Sequence, residues 1–215
     1  MPDGRPADLV IIGAGGHGRE VLDIVTAVNA VRRTWNFLGF LDDGPVDLGR
    51  LDRLGVELLG ATDLLPALGA HHVIGIGDGA IRRRVDAVAT AAASPAARLV
   101  HPLASVGADV ELGPGCVLFP GARVTTNVRV GRHTHLNANS VLSHDCSVGD
   151  YVTLSPLTAV NGSVTLGDEV YLGTGSSVLP GLSIGAGAMV GAGAVVIGDL
   201  PAGCTAVGVP ARPRP

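Results

Sequence analysis

The chain of 215 residues carries a net charge of −4 and has fifteen arginines but no lysine. It holds no basic tract of the kind that binds nucleic acid or an anionic membrane, and no apolar run long enough to span a bilayer. Its first seven residues are polar and its three cysteines are an odd number, so we expect neither a signal peptide nor a disulfide framework. These features predict a cytoplasmic protein with room for two domains.

The first hundred residues show strands that alternate with helices. Aliphatic runs predict strands at residues 9–12, 37–41, 73–76 and 98–100. Helical patterns separate these runs, at residues 21–28, 61–68 and 80–93. The alternation indicates a small parallel sheet of the doubly wound, Rossmann-like type.

A glycine-rich loop joins the first predicted strand to the first predicted helix. Gly13, Gly15 and Gly18 match the pattern G-x-G-x-x-G, in which glycines let the backbone approach a ligand and the helix N-terminus attracts phosphate. We predict that this loop, with Gly16 and His17, binds a nucleotide or diphosphate; the alternative is a tight turn with His17 facing solvent. Because the α/β part is too short for two complete nucleotide-binding halves, we expect one nucleotide rather than two.

Acidic residues and glycine follow the second and third predicted strands, at the edge of the sheet where ligands bind. Asp42 and Asp43 could accept hydrogen bonds from ribose hydroxyls, although the adjoining Gly-Pro at residues 44–45 also suits a plain turn. Gly77 and Asp78 occupy the corresponding place after the third strand and are further candidates for the nucleotide site.

The end of the α/β pattern contains three consecutive arginines: Arg82, Arg83 and Arg84. We predict them on a solvated face of the helix, from which one could reach a phosphate. The strand predicted at residues 98–100 leads into His101, where the periodicity changes to six residues. The boundary between an N-terminal domain (1–100) and a C-terminal domain (101–215) is therefore predicted at this point.

From Val106 to Val196 an aliphatic residue recurs at every sixth position without interruption. The series is Val106, Leu112, Leu118, Val124, Val130, Leu136, Leu142, Val148, Leu154, Val160, Leu166, Leu172, Val178, Ile184, Val190 and Val196. A second small or apolar residue, such as Cys116 or Cys146, stands four residues after each. A repeat this short indicates a solenoid in which six residues form one flat side, three sides form a triangular coil and residues eighteen apart stack. We therefore predict a parallel β-helix with Cys116 and Cys146 in its core.

One histidine in the repeat is a candidate for catalysis. His144 follows the inward Leu142 by two residues, so its side chain is predicted to point outward, where Asp145 could orient the ring. Histidine ordinarily titrates near neutral pH, which suits a general base; the alternative is an exposed surface histidine. Cys146 points into the coil in this pattern, which disfavours a covalent route through its thiol.

Six segments carry a family resemblance: GAGGHGREV at 13–21, FLDD at 40–43, IGD at 76–78, HP at 101–102, SHDC at 143–146 and GVPAR at 208–212. They resemble the sialic acid O-acetyltransferase-like family of hexapeptide-repeat sugar acetyltransferases, which includes N-acetyltransferases of nucleotide-linked amino sugars. The resemblance implies a left-handed β-helix, a homotrimer, and acetyl-CoA bound in the groove between adjacent solenoids. It also implies direct acetyl transfer with His144 as general base, and a nucleotide sugar held by the glycine loop and by the aspartates after the second strand.

The resemblance further indicates residues for acetyl-CoA. Some relatives carry a second histidine nine residues after the base, where this chain has Thr153, and an acid before the base, where it has Ser143. The hydroxyl or amide of Thr153 is therefore the candidate donor to the acetyl oxygen, and Asp145 is left as the adjacent carboxylate. We expect Arg212 to meet a phosphate of the coenzyme. The other positions expected along the coenzyme are Gly173, Gly191, Val209 and Pro210.

Three alternatives stay open. The acceptor could be a hydroxyl of sialic acid or a related sugar rather than an amine. A zinc site could form across a subunit interface from His133, His135 and His144, but the first two lack an obvious carboxylate partner, and we expect no metal. The chain could also be a nucleotide-binding scaffold without thioester turnover.

Overall fold

The computed structural model describes residues 5–214. The chain divides between Leu99 and Val100 into two compact units, an α/β unit and a β-helix. None of the helices in the described range is long and apolar enough to cross a membrane.

The α/β unit is built on a four-stranded parallel sheet with the strand order β3-β2-β1-β4. Its elements are β1 (Ala7–Ile12), α1 (Gly16–Val31), β2 (Trp35–Leu41), α2 (Leu48–Asp52), β3 (Leu58–Gly60), a 3-10 turn (Thr62–Leu64), α3 (Leu65–Leu68), β4 (His71–Ile74) and α4 (Gly79–Ala91). Strand β1 is fully buried from Leu9 to Ile12, as is typical of a parallel strand with both faces covered. This arrangement is the predicted Rossmann-like sheet.

Three short elements differ from the sequence-based prediction. The sequence pattern does not indicate α2 or β3, because five and three residues are too few to show a period. The strand predicted at residues 98–100 is β5 (Leu99–Val100), which belongs to a sheet of the β-helix rather than to the α/β sheet. The reason lies in the repeat, since Val100 stands six residues before Val106 and is already in phase with the aliphatic series.

The β-helix has three sheets, one for each side of its coil. The first side holds β7 (Val110–Leu112), β10 (Val128–Val130), β13 (Ser147–Val148), β16 (Thr165–Leu166) and β19 (Ser183–Ile184). The second holds β6 (Ser105–Val106), β9 (Arg123–Val124), β12 (Val141–Leu142), β15 (Ala159–Val160), β18 (Ser177–Val178) and β21 (Val195–Val196). The third holds β5, β8 (Val117–Leu118), β11 (His135–Leu136), β14 (Thr153–Leu154), β17 (Tyr171–Leu172), β20 (Met189–Val190), β22 (Thr205–Val207) and β23 (Arg212–Pro213). Parallel neighbours from β5 to β21 pair residues eighteen apart, as Leu142 pairs with Val160. The pair β20–β22 has an offset of sixteen, as Met189 pairs with Thr205, and the terminal pair β22–β23 is antiparallel.

The aliphatic series forms the core of the β-helix. Its members from Leu118 to Val196 are all buried, whereas Val106, near the start of the coil, is 41% exposed. The second inward position is also buried, at Cys116 and Cys146 among others. Each coil therefore covers its apolar side chains by stacking on the next one, as the repeat predicts.

A residue with positive φ stands at every sixth position from Asp109 to Gly193, at the corners of the coil. The non-glycine members, with φ between 49° and 63°, are Asp109, Asn127, His133, Asn139, Asp145, Tyr151, Leu157, Ser163 and Glu169. Glycine occupies the remaining corners. Asparagine and aspartate adopt the left-handed conformation more readily than other non-glycine residues, because their short polar side chains bond locally. The repeat thus places Asp145 at a corner, next to His144.

Candidate active site

The glycines of the loop between β1 and α1 have two different roles. Gly13 has a φ of 104°, and a Cβ on Gly18 would collide with the carbonyl oxygen of Gly13, so both positions require glycine. Gly15 and Gly16 are exposed at the start of α1, and a Cβ on Gly15 would meet no atom within 4 Å. No side chain caps α1, and the N-terminus of a helix attracts an anionic ligand.

His17, in the first turn of α1, is largely buried, with 19% of its side chain exposed. Burial, followed by the positive charge of Arg82, lowers the pKa of His17 to about 4, so the imidazole is neutral at neutral pH. The carboxylate of Glu20 lies 3.5 Å from Nδ1, but it is 66% exposed and solvent screens its opposing effect. The alternative of a solvent-facing His17 does not fit this geometry, and its contact with a ligand stays a prediction.

Arg82 contradicts the prediction of a solvated arginine face. Its side chain is fully buried, although the two arginines that follow it are exposed. Nη1 donates hydrogen bonds to the carbonyl oxygens of Ile76 (3.0 Å) and Gly77 (2.9 Å), which fixes the loop after β4 and offsets part of the cost of burying the charge. Arg82 falls on the inward face of α4 because it lies seven residues before the buried Ala89.

Asp42 ties the glycine loop to the end of β2. Its carboxylate accepts hydrogen bonds from the backbone amides of Ala14 (2.7 Å) and Gly44 (2.9 Å). The turn at residues 42–44 and the candidate ligand site at the glycine loop are therefore parts of the same structure, so the sequence-based choice between a turn and a site does not arise. Each carboxylate oxygen has a further lone pair, so contact of Asp42 with a ribose hydroxyl stays a prediction.

Asp43 and Asp78 make comparable local bonds at the same edge of the sheet. Asp43 accepts from the amide of Thr62 (2.8 Å), and Asp78, preceded by Gly77, caps α4 by accepting from the amide of Ile81 (2.8 Å). Asp43 also borders a cavity of about 270 Å³ that combines apolar side chains with one arginine. The cavity is lined by Asp43, Thr62, Ile81, Arg84, Val85 and Val88. Such a mixture suits a nucleotide, although these contacts also stay predictions.

His144 lies on the outside of the β-helix, with 60% of its side chain exposed. Its Nδ1 lies 2.7 Å from Oδ2 of Asp145, which accepts a hydrogen bond from the ring. Asn127, eighteen residues before Asp145 and therefore one coil away, donates from Nδ2 to Oδ1 of Asp145 (2.6 Å). The side chains thus form a hydrogen-bonded chain from Asn127 through Asp145 to His144.

These hydrogen bonds stabilise the ionised form of Asp145 and determine the tautomer of His144. The hydrogen bond from His144, and then that from Asn127, hold the pKa of Asp145 below its usual value. Because Nδ1 donates to a carboxylate, Nε2 is the ring nitrogen that can take a proton. The sequence motif does not include Asn127, although the eighteen-residue stacking rule leads to it directly from Asp145.

The thiol of Cys146 is unsuited to covalent catalysis. Cys146 is 2% exposed, and its Sγ donates to the carbonyl oxygen of Asn161 (3.2 Å). Burial raises the pKa of the thiol. A buried, protonated thiol is a poor nucleophile, which favours direct transfer over an acyl-cysteine route.

His133 and His135 do not share an outer surface with His144. Both are fully buried, and the His133 ring stacks on Tyr151 with the ring centroids 5.9 Å apart. Within residues 5–214, no cluster of three potential metal ligands includes His144. The zinc alternative would need outward-facing donors that these two histidines do not provide.

Three of the candidate acetyl-CoA residues pack closely against other parts of the β-helix. Thr153 is 3% exposed, so its hydroxyl has little access to a ligand on the surface. A Cβ on Gly173 would lie 2.6 Å from the amide nitrogen of Ala192, and one on Gly191 would lie 2.8 Å from the side chain of Val207. Coil stacking therefore requires glycine at position 173, where the added atom would meet backbone, whereas at position 191 it would meet only the Val207 side chain within 3 Å. Contact of both glycines with the coenzyme stays a prediction.

The C-terminal tail is anchored to the last coil by two backbone hydrogen bonds. Val195 donates to the carbonyl oxygen of Gly208 (3.1 Å) and accepts from the amide of Ala211 (2.7 Å). Between and after these bonds, the candidate coenzyme residues are exposed: Val209, Pro210 and Arg212. The tail is thus held in place while its side chains are accessible to a ligand.

Comparison with known proteins first identifies the N-terminal part. Residues 8–87 match the family model described as the PglD N-terminal domain. The GDP-perosamine N-acetyltransferase of Escherichia coli is 35% identical over 139 residues. That match covers 63% of this chain and 62% of the Escherichia coli protein, which is less than two thirds of its length.

Two solved structures match nearly end to end. PerB from Caulobacter crescentus, in complex with CoA and GDP-perosamine, is 32% identical and has a TM-score of 0.88 over 97% of each chain. The acetyltransferase domain of PglB from Neisseria gonorrhoeae is 31% identical and has a TM-score of 0.87 over 97% of this chain and 100% of that one. These matches confirm the predicted fold class, a Rossmann-like α/β unit followed by a left-handed β-helix. The chain therefore belongs to the nucleotide-amino-sugar acetyltransferases of the hexapeptide-repeat family.

Proposed function

We propose that this protein transfers the acetyl group of acetyl-CoA to the amine of a nucleotide-linked amino sugar. One observation carries the proposal beyond family membership. The Nδ1 of His144 is bound to Asp145 at 2.7 Å, on an outward-facing ring whose Nε2 can accept a proton. This is the arrangement that a general base requires.

In the proposed reaction, the sugar amine attacks the thioester carbonyl of acetyl-CoA while Nε2 of His144 takes a proton from the nitrogen. The C–N bond forms and a tetrahedral oxyanion results, which backbone amides stabilise. Collapse of the intermediate breaks the C–S bond, and the imidazolium returns its proton to the departing thiolate. Asp145 stabilises the imidazolium between these two steps, and the products are an N-acetyl sugar and CoA.

The acceptor binds in our proposal at the glycine loop and the sheet edge of the α/β unit. The open first turn of α1 suits the diphosphate, and Asp42, Asp43 and Asp78 offer acceptors to hydroxyl groups. GDP-perosamine is the first acceptor to test, because it is bound in the PerB structure and is named in the Escherichia coli relative. The exposed tail residues Val209, Pro210 and Arg212 bind the coenzyme.

We also propose a cytoplasmic homotrimer in which a groove between β-helices holds acetyl-CoA. Large apolar side chains are exposed on the β-helix, as is typical of a surface that a partner covers. Those in its C-terminal half include Tyr171, Leu179, Met189 and Ile197, each between 38% and 49% exposed. The three cysteines are free thiols, which suits a reducing compartment.

The proposal is tested by release of free CoA thiol from acetyl-CoA in the presence of a panel of nucleotide-linked amino sugars. Mass spectrometry should find one added acetyl group, and the product should resist hydroxylamine, which cleaves an ester but not an amide. A hydroxylamine-sensitive product would support O-acetylation instead. Nucleotide-sugar binding without thiol release from any member of the panel would support the scaffold alternative and contradict the proposal.

A further inference from the structure

The imidazole of His144 lies on the backbone of Gly162. Gly162 follows His144 by eighteen residues and therefore occupies the same position in the next coil. A Cβ on Gly162 would lie 2.6 Å from Nε2 and 3.0 Å from Nδ1 of His144, and its three nearest atoms all belong to this ring. The ring thus packs against a buried glycine, at a distance that leaves no room for a methyl group.

The backbone itself does not demand glycine at this position. Gly162 is absent from the residues with positive φ, so an alanine could adopt the same conformation. Coil stacking does not demand it either, because a Cβ there would first meet an exposed side chain rather than the backbone of a neighbouring coil. Gly173 is different, since its Cβ would meet backbone atoms of residues 190–192. The feature that excludes a side chain at Gly162 is therefore the His144 ring.

The ring is then held from two directions. Asp145, itself bound by Asn127, accepts the hydrogen bond from Nδ1, and the backbone of Gly162 packs against the ring atoms. We propose that Gly162 is a positioning residue for the acetyl transfer. Because it has no side chain, the His144 ring can lie close to the β-helix backbone, where Nδ1 reaches Asp145. In this position Nε2 is left to face the acceptor. This inference rests on the proposed function of His144 as the general base.

The central test is Gly162→Ala. The new methyl group should displace the ring and break its hydrogen bond to Asp145, while the fold is preserved because the exposed His144 side chain can swing toward solvent. We expect kcat to fall about 10- to 100-fold, since displacement of a catalytic group by about 1 Å has costs of this size. The KM values for acetyl-CoA and the sugar should change less than about threefold, because neither substrate loses a contact.

Gly198→Ala is the matched control. Gly198 belongs to the same column, 36 residues after Gly162, it has no positive φ, and its Cβ would meet no atom within 4 Å. This variant should keep the kcat of the wild type. If both variants lose activity equally, the loss comes from adding a methyl group at any of these stacked positions, which lie eighteen residues apart, and the inference is wrong.

Coupling to the base separates positioning from binding. In a His144→Ala background, Gly162→Ala should cause no further loss, because the ring it displaces is gone. An additional loss of more than about threefold would assign Gly162 a role other than positioning His144, as would a raised KM for acetyl-CoA with an unchanged kcat.

NMR of the histidine ring protons provides a readout that needs no turnover. Gly162→Ala should change the chemical shifts of the His144 ring protons relative to the wild type, and Gly198→Ala should not. An unchanged His144 signal in Gly162→Ala contradicts the inference whatever the activity. If the wild type shows this His144 signal but releases no CoA thiol with any sugar, the proposed function fails while the steric relation of the two residues stands.

Discussion

At the level of single residues, the conformation of the coil and the chemistry of the site favour the same side chains. Asp145 and Asn127 both occupy corners with positive φ, 62° and 55°, where aspartate and asparagine are tolerated at low cost. Because corners stack every eighteen residues, Asn127 comes within 2.6 Å of Asp145, and Asp145 lies beside His144. The repeat therefore builds the hydrogen-bonded chain without any additional loop.

His144→Ala should abolish most of the activity without affecting the fold. The side chain is 60% exposed and contributes little to the core, whereas loss of a general base typically lowers kcat about 10²- to 10⁴-fold. The rise of kcat with pH that follows deprotonation of the base should be absent in the variant. Asp145→Asn should show a smaller defect, because Asp145 orients the ring without carrying the transferred proton. The same acceptor must be used throughout, since its amine also has to be neutral to attack. Near-normal turnover of His144→Ala would show that His144 is not the base.

Asn127→Gly should weaken catalysis by loosening Asp145. Glycine accepts the corner conformation, so the variant removes one hydrogen bond to the carboxylate and leaves the backbone unstrained. We expect kcat to fall about 3- to 10-fold, the size of one hydrogen bond, and the pKa of Asp145 to rise toward its usual value. Asn139→Gly, at a corner with a φ of 57° elsewhere on the coil, is the control and should retain full activity. Equal activity of the two variants would exclude a role for Asn127.

His17 should make folding stability depend on pH in the mildly acidic range. Its pKa is lowered from 6.5 to about 4 in the folded state, so between these values the unfolded chain binds the proton more readily. Stability from this residue is fully present above 6.5 and is lost as the pH falls toward 4, by roughly 2 kcal/mol at about pH 5. Urea unfolding of the wild type and of His17→Asn at about pH 7.5 and pH 5 measures this loss. The variant should lose less stability on acidification; an identical loss in both proteins would mean that His17 is not buried as a neutral ring.

At the level of elements, periodicity predicts long patterns well and short pieces poorly. The hexad series establishes the coil because sixteen aliphatic positions repeat, and it assigns Val100 to the coil once it is extended one step backwards. Helix α2 and strand β3 are too short to show a pattern, and their place follows from the tertiary contacts of the sheet. The burial of Arg82 could be inferred from its position on the inward face of α4, but no sequence motif indicates its hydrogen bonds to the carbonyl oxygens of Ile76 and Gly77.

The C-terminal tail should contribute to coenzyme binding through Arg212. The guanidinium is exposed in β23 on a tail that backbone hydrogen bonds hold in place, which suits contact with a phosphate. Arg212→Ala should raise the KM for acetyl-CoA about 3- to 30-fold, with little change in kcat, because the contact is made equally in the ground and transition states. If the partner is the 3′-phosphate, the variant and the wild type should have similar KM values for acetyl-dephospho-CoA. An unchanged KM for acetyl-CoA itself would refute the contact.

At the level of the whole molecule, the sequence predicts two units and their order, and its motifs select the candidate residues of the site. Gly13, Asp42 and His144 stand where the motifs indicate. What the motifs do not reveal is the support that each receives, because that support comes from residues brought near by folding. Asn127 reaches Asp145 through the stacking of coils, and Gly162 reaches His144 in the same way. An eighteen-residue offset is the general rule that would find such partners in a coil of this kind.

The assembly offers the last test, since the proposed groove needs a second β-helix as its wall. Sedimentation should give a mass about three times the 21.6 kDa of one chain at micromolar concentration. Leu179, which is 41% exposed on the β-helix, is a candidate for the interface, and Leu179→Glu should weaken the trimer because burial of the new carboxylate is costly. Its activity should fall together with the trimer fraction. Val31→Glu, at a 76% exposed apolar position on α1 of the α/β unit, should leave both unchanged. A wild-type protein that is a stable monomer and fully active would show that one chain forms the complete site, and the trimer would then be unnecessary for catalysis.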